Sequence, residues 1–244
     1  WVRAVADAPR ARAELTALGT RPIGGLGVLD LSLIGLAAGV TDESELGIRT
    51  LRAAQSLMTQ HDSTDGHALT AAMLAWSCVD TGRWDEALRI TGQLHTLGAV
   101  SDQPLVGATG DLIRAVVAAR RGDTTSARGH LTAALDVLDF HDNRLHSARA
   151  HHVLGLINLV DGNDLGAYGH LAELFTDSGA PLHPHVSFPA LVDYAEAAVV
   201  DVATSTFGTV DILINNAAIT GASELVNYPL TSWQRVIDVN LTGT

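Results

Sequence analysis

The chain has 244 residues, 47% of them apolar and 17% charged, with 27 acidic residues against 15 basic ones for a formal net charge of −12. Such a composition supplies ample apolar surface for a buried core and excludes wholesale disorder. Every basic residue is arginine, so chemistry that needs an ε-amino group is excluded from these residues: a phosphate-loop lysine, a Schiff base or a Tyr-x-x-x-Lys pair.

The acidic balance has no compensating basic run, which removes direct nucleic-acid contact from the expected partners. Cys78 stands alone in an apolar helical stretch and reads as a small buried hydrophobe, in keeping with a reducing, cytoplasmic setting. No segment reaches the ~18 apolar residues of a membrane span, so no membrane partner is expected. The region from Trp1 to Arg10 has no apolar signal core, and a start at tryptophan in place of methionine suggests a fragment.

Taken in chain order, the elements repeat with a period of 40 residues. Thr41-Asp42, Thr81-Gly82-Arg83-Trp84, Arg121-Gly122-Asp123 and Asp161-Gly162-Asn163-Asp164 share one column, each a polar turn between two apolar-periodic segments. Helical spacing precedes the turns, as in Leu69, Ala72, Met73 and Trp76, then Leu112, Ile113, Val116 and Val117, then Ala150, Val153, Leu154 and Ile157. It follows them too, as in Trp84, Ala87, Leu88 and Leu94, then Ala127, Leu131, Ala134 and Leu138, then Ala167, Leu171, Leu174 and Phe175. Each repeat is therefore predicted as helix, turn, helix. Gly35 with Gly47, Ala75 with Ala87, Ala115 with Ala127 and Gly155 with Ala167 are spaced by twelve, one on each helix, where two antiparallel helices would need small side chains to approach.

The run from Ala71 to Leu97, with Asp80-Thr81-Gly82-Arg83-Trp84-Asp85-Glu86-Ala87-Leu88 inside it, resembles the tetratricopeptide repeat. The other repeats match it in degenerate form, with Arg114 and Asn158 in columns that usually hold larger apolar groups. Leu171 to Phe175, Gly179 to Pro184 and Leu191 to Ala198 further resemble the helical sensor region of LuxR-type (MalT-like) large ATP-binding transcription regulators, over roughly residues 1–198. A fifth hairpin is expected to begin at Tyr194 and Ala195, in the large and small columns, but its partner column holds Phe207 and the period ends near residue 199.

From about Val199 the idiom changes. Asp211-Ile212-Leu213-Ile214 is a β-branched run predicted as a buried parallel strand, followed by Asn215-Asn216-Ala217-Ala218. Phe207-Gly208 precedes it, and Thr231 to Gly243 follows with Val239-Asn240-Leu241-Thr242-Gly243 at its end. These features resemble the central fragment of a short-chain dehydrogenase/reductase, with Ala218 where that family has glycine. The resemblance implies a β-α piece of a Rossmann-type fold in which Asn215 and Ala217 line a nicotinamide dinucleotide site and Asn240 holds a water in the proton relay. The same asparagines also suit a strand end and a backbone bond.

The rest of that enzyme has no counterpart here. Gly24-Gly25-Leu26-Gly27 lies ahead of the repeats, lacks the family's glycine spacing and reads as a loop, while Tyr168, Tyr194 and Tyr228 have no lysine to serve with. Asn240 is thus expected to be vestigial, with no cofactor for this chain, and NAD or NADP if the C-terminal resemblance is functional.

Other constellations read as structural. His146, His151 and His152 include adjacent helix residues about 100° apart, and His183-Pro184-His185 has no completing carboxylate or thiol, so no metal is expected. Pro181, Pro184 and Pro189 mark an extended loop, Asp42, Glu43 and Glu45 a helix N-terminus, and Trp76 and Trp84 hairpin core.

The expected fold is mainly α: a tetratricopeptide-like α-α hairpin solenoid of four to five hairpins over residues 1–198, then an incomplete Rossmann-type fragment over 199–244. The expected function is a helical-repeat module of a bacterial-type transcription regulator, non-catalytic as it stands, binding a protein, peptide or small effector on its concave face. The second reading is a fragment of an NAD(P)-dependent oxidoreductase, joined through a truncated or fused reading frame.

Overall fold

The computed structural model describes residues 8–19, 24–41, 43–60, 66–138 and 143–208. Helix α1 (Ala8–Gly19) is followed by four helical hairpins. They pair α2 (Val28–Val40) with α3 (Ser44–Gln60), α4 (His67–Asp80) with α5 (Trp84–Val100), α6 (Pro104–Arg120) with α7 (Thr124–Leu135), and α8 (Arg144–Val160) with α9 (Asp164–Ala172). A single-turn helix α10 (Pro184–Ser187) and the longer α11 (Leu191–Phe207) complete the described chain. Among the described residues no strand forms, only an isolated antiparallel bridge between Phe175 and Pro181.

One hydrogen bond closes every hairpin turn. The N–H of Glu43 donates to the Ala38 carbonyl (3.0 Å), Arg83 to Cys78 (2.7 Å), Asp123 to Ala118 (3.0 Å) and Asn163 to Asn158 (2.8 Å). Donors and acceptors alike recur every 40 residues, so the period seen in the sequence is a period of backbone geometry. This bond requires a left-handed residue inside the turn, supplied by Gly82, Gly122 and Gly162 at φ of 75°, 80° and 71°. Asp123 and Asn163 then accept from the N–H groups of Ser126 and Gly166, capping the second helix of their hairpins.

The eight small residues predicted at helix crossings are all buried. At the first crossing a Cβ built on Gly47 would come 3.4 Å from the Gly35 carbonyl, so the two glycines face each other directly. A Cβ on Gly35 would stand 2.5 Å from Cγ of Leu51, and one on Gly155 2.5 Å from Cγ of Leu171, the equivalent positions of the first and last repeats. Larger side chains are thereby forced to the interhairpin layer. There Leu74, Ile90, Leu94, Leu112, Ile113 and Val116 form one continuous core. Consecutive helices from α1 to α9 pack in chain order, and α6 also packs against both α4 and α8.

A second core gathers Ala148, Leu171, Leu174, Val186, Ala190 and Ala197, with Tyr194 stacked on both Tyr168 and Phe175. Tyr194 thus fills a large-residue position as expected. Ala195 does not occupy a crossing: it is exposed, and Ala197 is the buried small residue of α11. Helix α11 runs without interruption through residues 198 and 199, and the compact units divide at Asp201 and Val202. The predicted strand at 211–214 and everything beyond Gly208 lie outside the described residues.

The crossing constraint gives a direct test. Gly155→Ala drives a methyl into Leu171 and is expected to lower unfolding stability by about 1–3 kcal/mol. Gly129→Ala, in α7 where a Cβ meets nothing within 4 Å, is expected to raise it by up to ~1 kcal/mol. Urea unfolding monitored by circular dichroism reads both.

Candidate functional site

Asp80 and Arg120 occupy the final positions of α4 and α6, the same column of the repeat. A carboxylate at a helix C-terminus faces the negative end of the helix dipole, so Asp80 is unfavourable there without a cation. Arg149 supplies it from α8, reaching past α6. Its Nη1 and Nη2 donate to Oδ1 and Oδ2 of Asp80 at 3.0 Å each, and its guanidinium carbon sits 4.2 Å from the centroid of the Trp76 ring. Arginine suits this position because its planar fork can bind the carboxylate at two points while its face lies on an indole. Arg149 is 5% exposed, whereas the Asp80 side chain is 47% exposed. Burying the guanidinium costs several kcal/mol, which the paired hydrogen bonds and the cation–π contact offset.

Next to this pair, Nε2 of His152 lies 2.8 Å from Oδ2 of Asp193, in the first turn of α11. A carboxylate accepts, so the imidazole donates from Nε2 and leaves Nδ1 as an acceptor; that atom is buried and has no hydrogen-bond partner. Burial pushes the His152 pKa below its ordinary 6.5, against the opposing pull of Asp193. Arg120 approaches Asp193 only to 3.9 Å, beyond hydrogen-bonding reach.

These groups surround open space. A cavity of about 400 Å³ is lined by Ser44, Asp80, Arg120, Arg149, His152 and His185, among others. A pocket of about 260 Å³ shares Asp80, Arg149 and His185 with it and adds an apolar wall of Leu36, Met73 and Trp76. The lining carries two guanidiniums and one carboxylate; Asp193, in contact with both His152 and Arg120, does not itself line it.

The residues singled out in the sequence fare differently. Asn215, Ala217 and Asn240 lie outside the described residues. Trp76 and Trp84 pack on the core as expected, and both also line the cavities. His151 faces His170 at 6.1 Å while its neighbour His152 points to Asp193, the divergence expected for adjacent helix residues. No group of three metal-ligating side chains is assembled among the described residues. Cys78 is fully buried, and burial raises its thiol pKa to about 11, which leaves it unreactive. Glu45 pairs with Arg83 of the following hairpin and Glu43 accepts from Thr16; Asp42 lies outside the described residues.

The Gly24–Gly27 stretch forms a turn ahead of α2, beside a pocket of about 620 Å³ whose lining includes Leu26, Leu31, Ala53 and Leu57 and no basic group. Among the described residues it is a loop without the charge complementarity a pyrophosphate needs. The Asp80–Arg149 pair escaped the sequence reading because its members are 69 residues apart. The available signal was an acidic residue closing a helix and an arginine inside an apolar one.

Residues 191–244 match the family model of short chain dehydrogenases. This segment carries the short-chain dehydrogenase pattern. The match begins at the first residue of α11. Among curated relatives, the chain is 36% identical over 99 residues to a 3-alpha-(or 20-beta)-hydroxysteroid dehydrogenase of Mycobacterium tuberculosis, covering 38% of this chain and 36% of that protein. It is 54% identical over 46 residues to 3beta-hydroxysteroid dehydrogenase 1 of Eggerthella lenta, 19% of this chain and 18% of that protein. Glucose 1-dehydrogenase 2 of Bacillus subtilis is 46% identical over 48 residues, 19% of each chain. The chain thus spans about a third of the length of the first of these relatives and less of the others. Among the described residues no helix is long and apolar enough to cross a membrane.

The buried imidazoles set a pH dependence. Burial holds His146, His151, His152 and His183 below their ordinary 6.5. As pH falls past 6.5 the unfolded chain takes up protons that the folded chain refuses, so stability declines with falling pH, at most by about 1.4 kcal/mol per pH unit for His152. The urea midpoint is expected to drop between pH 7.5 and 5.5, with a shallower slope in His152→Gln. Glu86, held below its usual 4.5 by the Arg52 guanidinium, enters only at lower pH.

Proposed function

We propose that residues 191–244 serve NAD(P)-dependent oxidoreduction of the short-chain dehydrogenase type, interconverting an alcohol and its carbonyl compound. The carrying observation is the family match at 191–244, which takes in Asn215-Asn216-Ala217 and Val239-Asn240-Leu241-Thr242-Gly243 at family spacing. The hydroxysteroid and glucose dehydrogenases among the relatives support an alcohol carbon as the reacting centre. In this reading Asn215 and Ala217 would hold the nicotinamide end of the cofactor, which accepts or delivers hydride when bound. An asparagine amide offers both a donor and an acceptor, so it fits a carboxamide or a ribose hydroxyl. Asn240 would hold a water on the proton path. The donor set fits the cofactor in part only: with no lysine in the chain, the group that lowers a catalytic tyrosine's pKa and holds the ribose is not among these residues.

A second reading concerns the hairpins. The pairing of buried Arg149 with half-exposed Asp80 beside a cavity supports a binding module that takes a peptide or small effector. Its place in transcription regulation rests on the sequence resemblance described above.

Cofactor titration of the native gene product tests the first reading. It is expected to bind NADH or NADPH with micromolar affinity by nicotinamide fluorescence, and to lose at least about tenfold in kcat on Asn240→Ala. A native product without nucleotide binding sinks it.

A further inference from the structure

We infer that the Arg149–Asp80 cavity is a site for a small organic monocarboxylate, its carboxylate held by Arg120 and its apolar body laid against Trp76, Met73 and Leu36. The inference names a ligand class for the binding-module reading and rests on it.

Charge is the first reason. The chain has a net charge of −12, yet the cavity lining presents two guanidiniums against one carboxylate. Asp80 is satisfied by both terminal nitrogens of Arg149, and Asp193 accepts from His152, so each carboxylate near the site has a close partner. Arg120, one-third exposed, has only the longer 3.9 Å ion pair with Asp193 and lines the open cavity, with five donors in a fork suited to a carboxylate.

Buried polarity is the second. His152 lines the cavity, is 2% exposed, and keeps an unpartnered Nδ1. The Nε of Arg149 and Nδ1 of His183 are likewise buried without partners. Native interiors leave few such atoms; the Nε–H of Arg149 is a donor open to an acceptor, while Nδ1 of His152 is itself an acceptor, so a water entering with the ligand, not its carboxylate, completes the bonding there.

Shape is the third. The larger cavity is lined by Arg120, His152 and His185, and the adjoining pocket, which shares Asp80, Arg149 and His185 with it, is walled by Leu36, Met73 and Trp76. An inorganic anion would leave that apolar wall unused, and a neutral apolar molecule would leave Arg120 unmet. A carboxylate on an aliphatic or aromatic body satisfies both, within the size range of ordinary small-molecule sites.

The test is isothermal titration of the full chain with monocarboxylates from butyrate to myristate and with benzoate, each beside its primary amide, and with inorganic phosphate. Saturable binding of at least one carboxylate is expected, at least tenfold tighter than its amide and tighter than phosphate. Arg120→Gln is expected to weaken it at least tenfold. Asp80→Asn, which frees Arg149 and removes the competing carboxylate, is expected to tighten it several-fold, an opposite sign that loss of folding does not produce. Equal affinity for acids and amides, or an unaffected Arg120→Gln, overturns the carboxylate inference and leaves the binding module standing. No saturable binding by acid or amide overturns both.

Discussion

Two helices can lie close together only where both present small side chains, and the rest of the helical region depends on that contact. Gly35 with Gly47, Ala75 with Ala87, Ala115 with Ala127 and Gly155 with Ala167 bring each hairpin together at one level along its axes. The left-handed glycines at 82, 122 and 162 set the angle at which the second helix leaves the first. With crossing and turn both repeated every 40 residues, the large apolar side chains have a single place left, between hairpins, where they build the continuous core.

The stacking of first helices has a further consequence. It aligns the C-terminal ends of α4 and α6, and so places Asp80 and Arg120 on one side of the array. Arg149 spans the gap from α8 and is held between a carboxylate and an indole. A buried ion pair of this kind contributes little net stability compared with an apolar replacement. It stands against open space, beside a buried imidazole.

The two halves of the chain therefore speak through different kinds of signal. The dehydrogenase pattern lies in short local motifs, Asn215-Asn216-Ala217-Ala218 and Val239-Asn240-Leu241-Thr242-Gly243. The cavity of the hairpins lies in no motif at all. Helix α11 belongs to both, because it carries the start of the family match, while its Asp193 meets His152 and its Tyr194 stacks on Tyr168 and Phe175.

By itself the sequence determined the helical hairpins, their period, their turns and their crossing residues, because each depends on side-chain size and φ at fixed local spacing. It also determined the dehydrogenase motifs and the absence of any lysine to serve them. The column assignment went astray at Ala195, since other small residues, Ala197 among them, were available to α11 and only packing against the second core could choose between them. The Asp80–Arg149 pair, the buried His152 and the cavity they face were decided by tertiary structure alone. Residues separated by 41 to 69 positions become neighbours only when successive hairpins stack, and nothing in their local spacing encodes that distance.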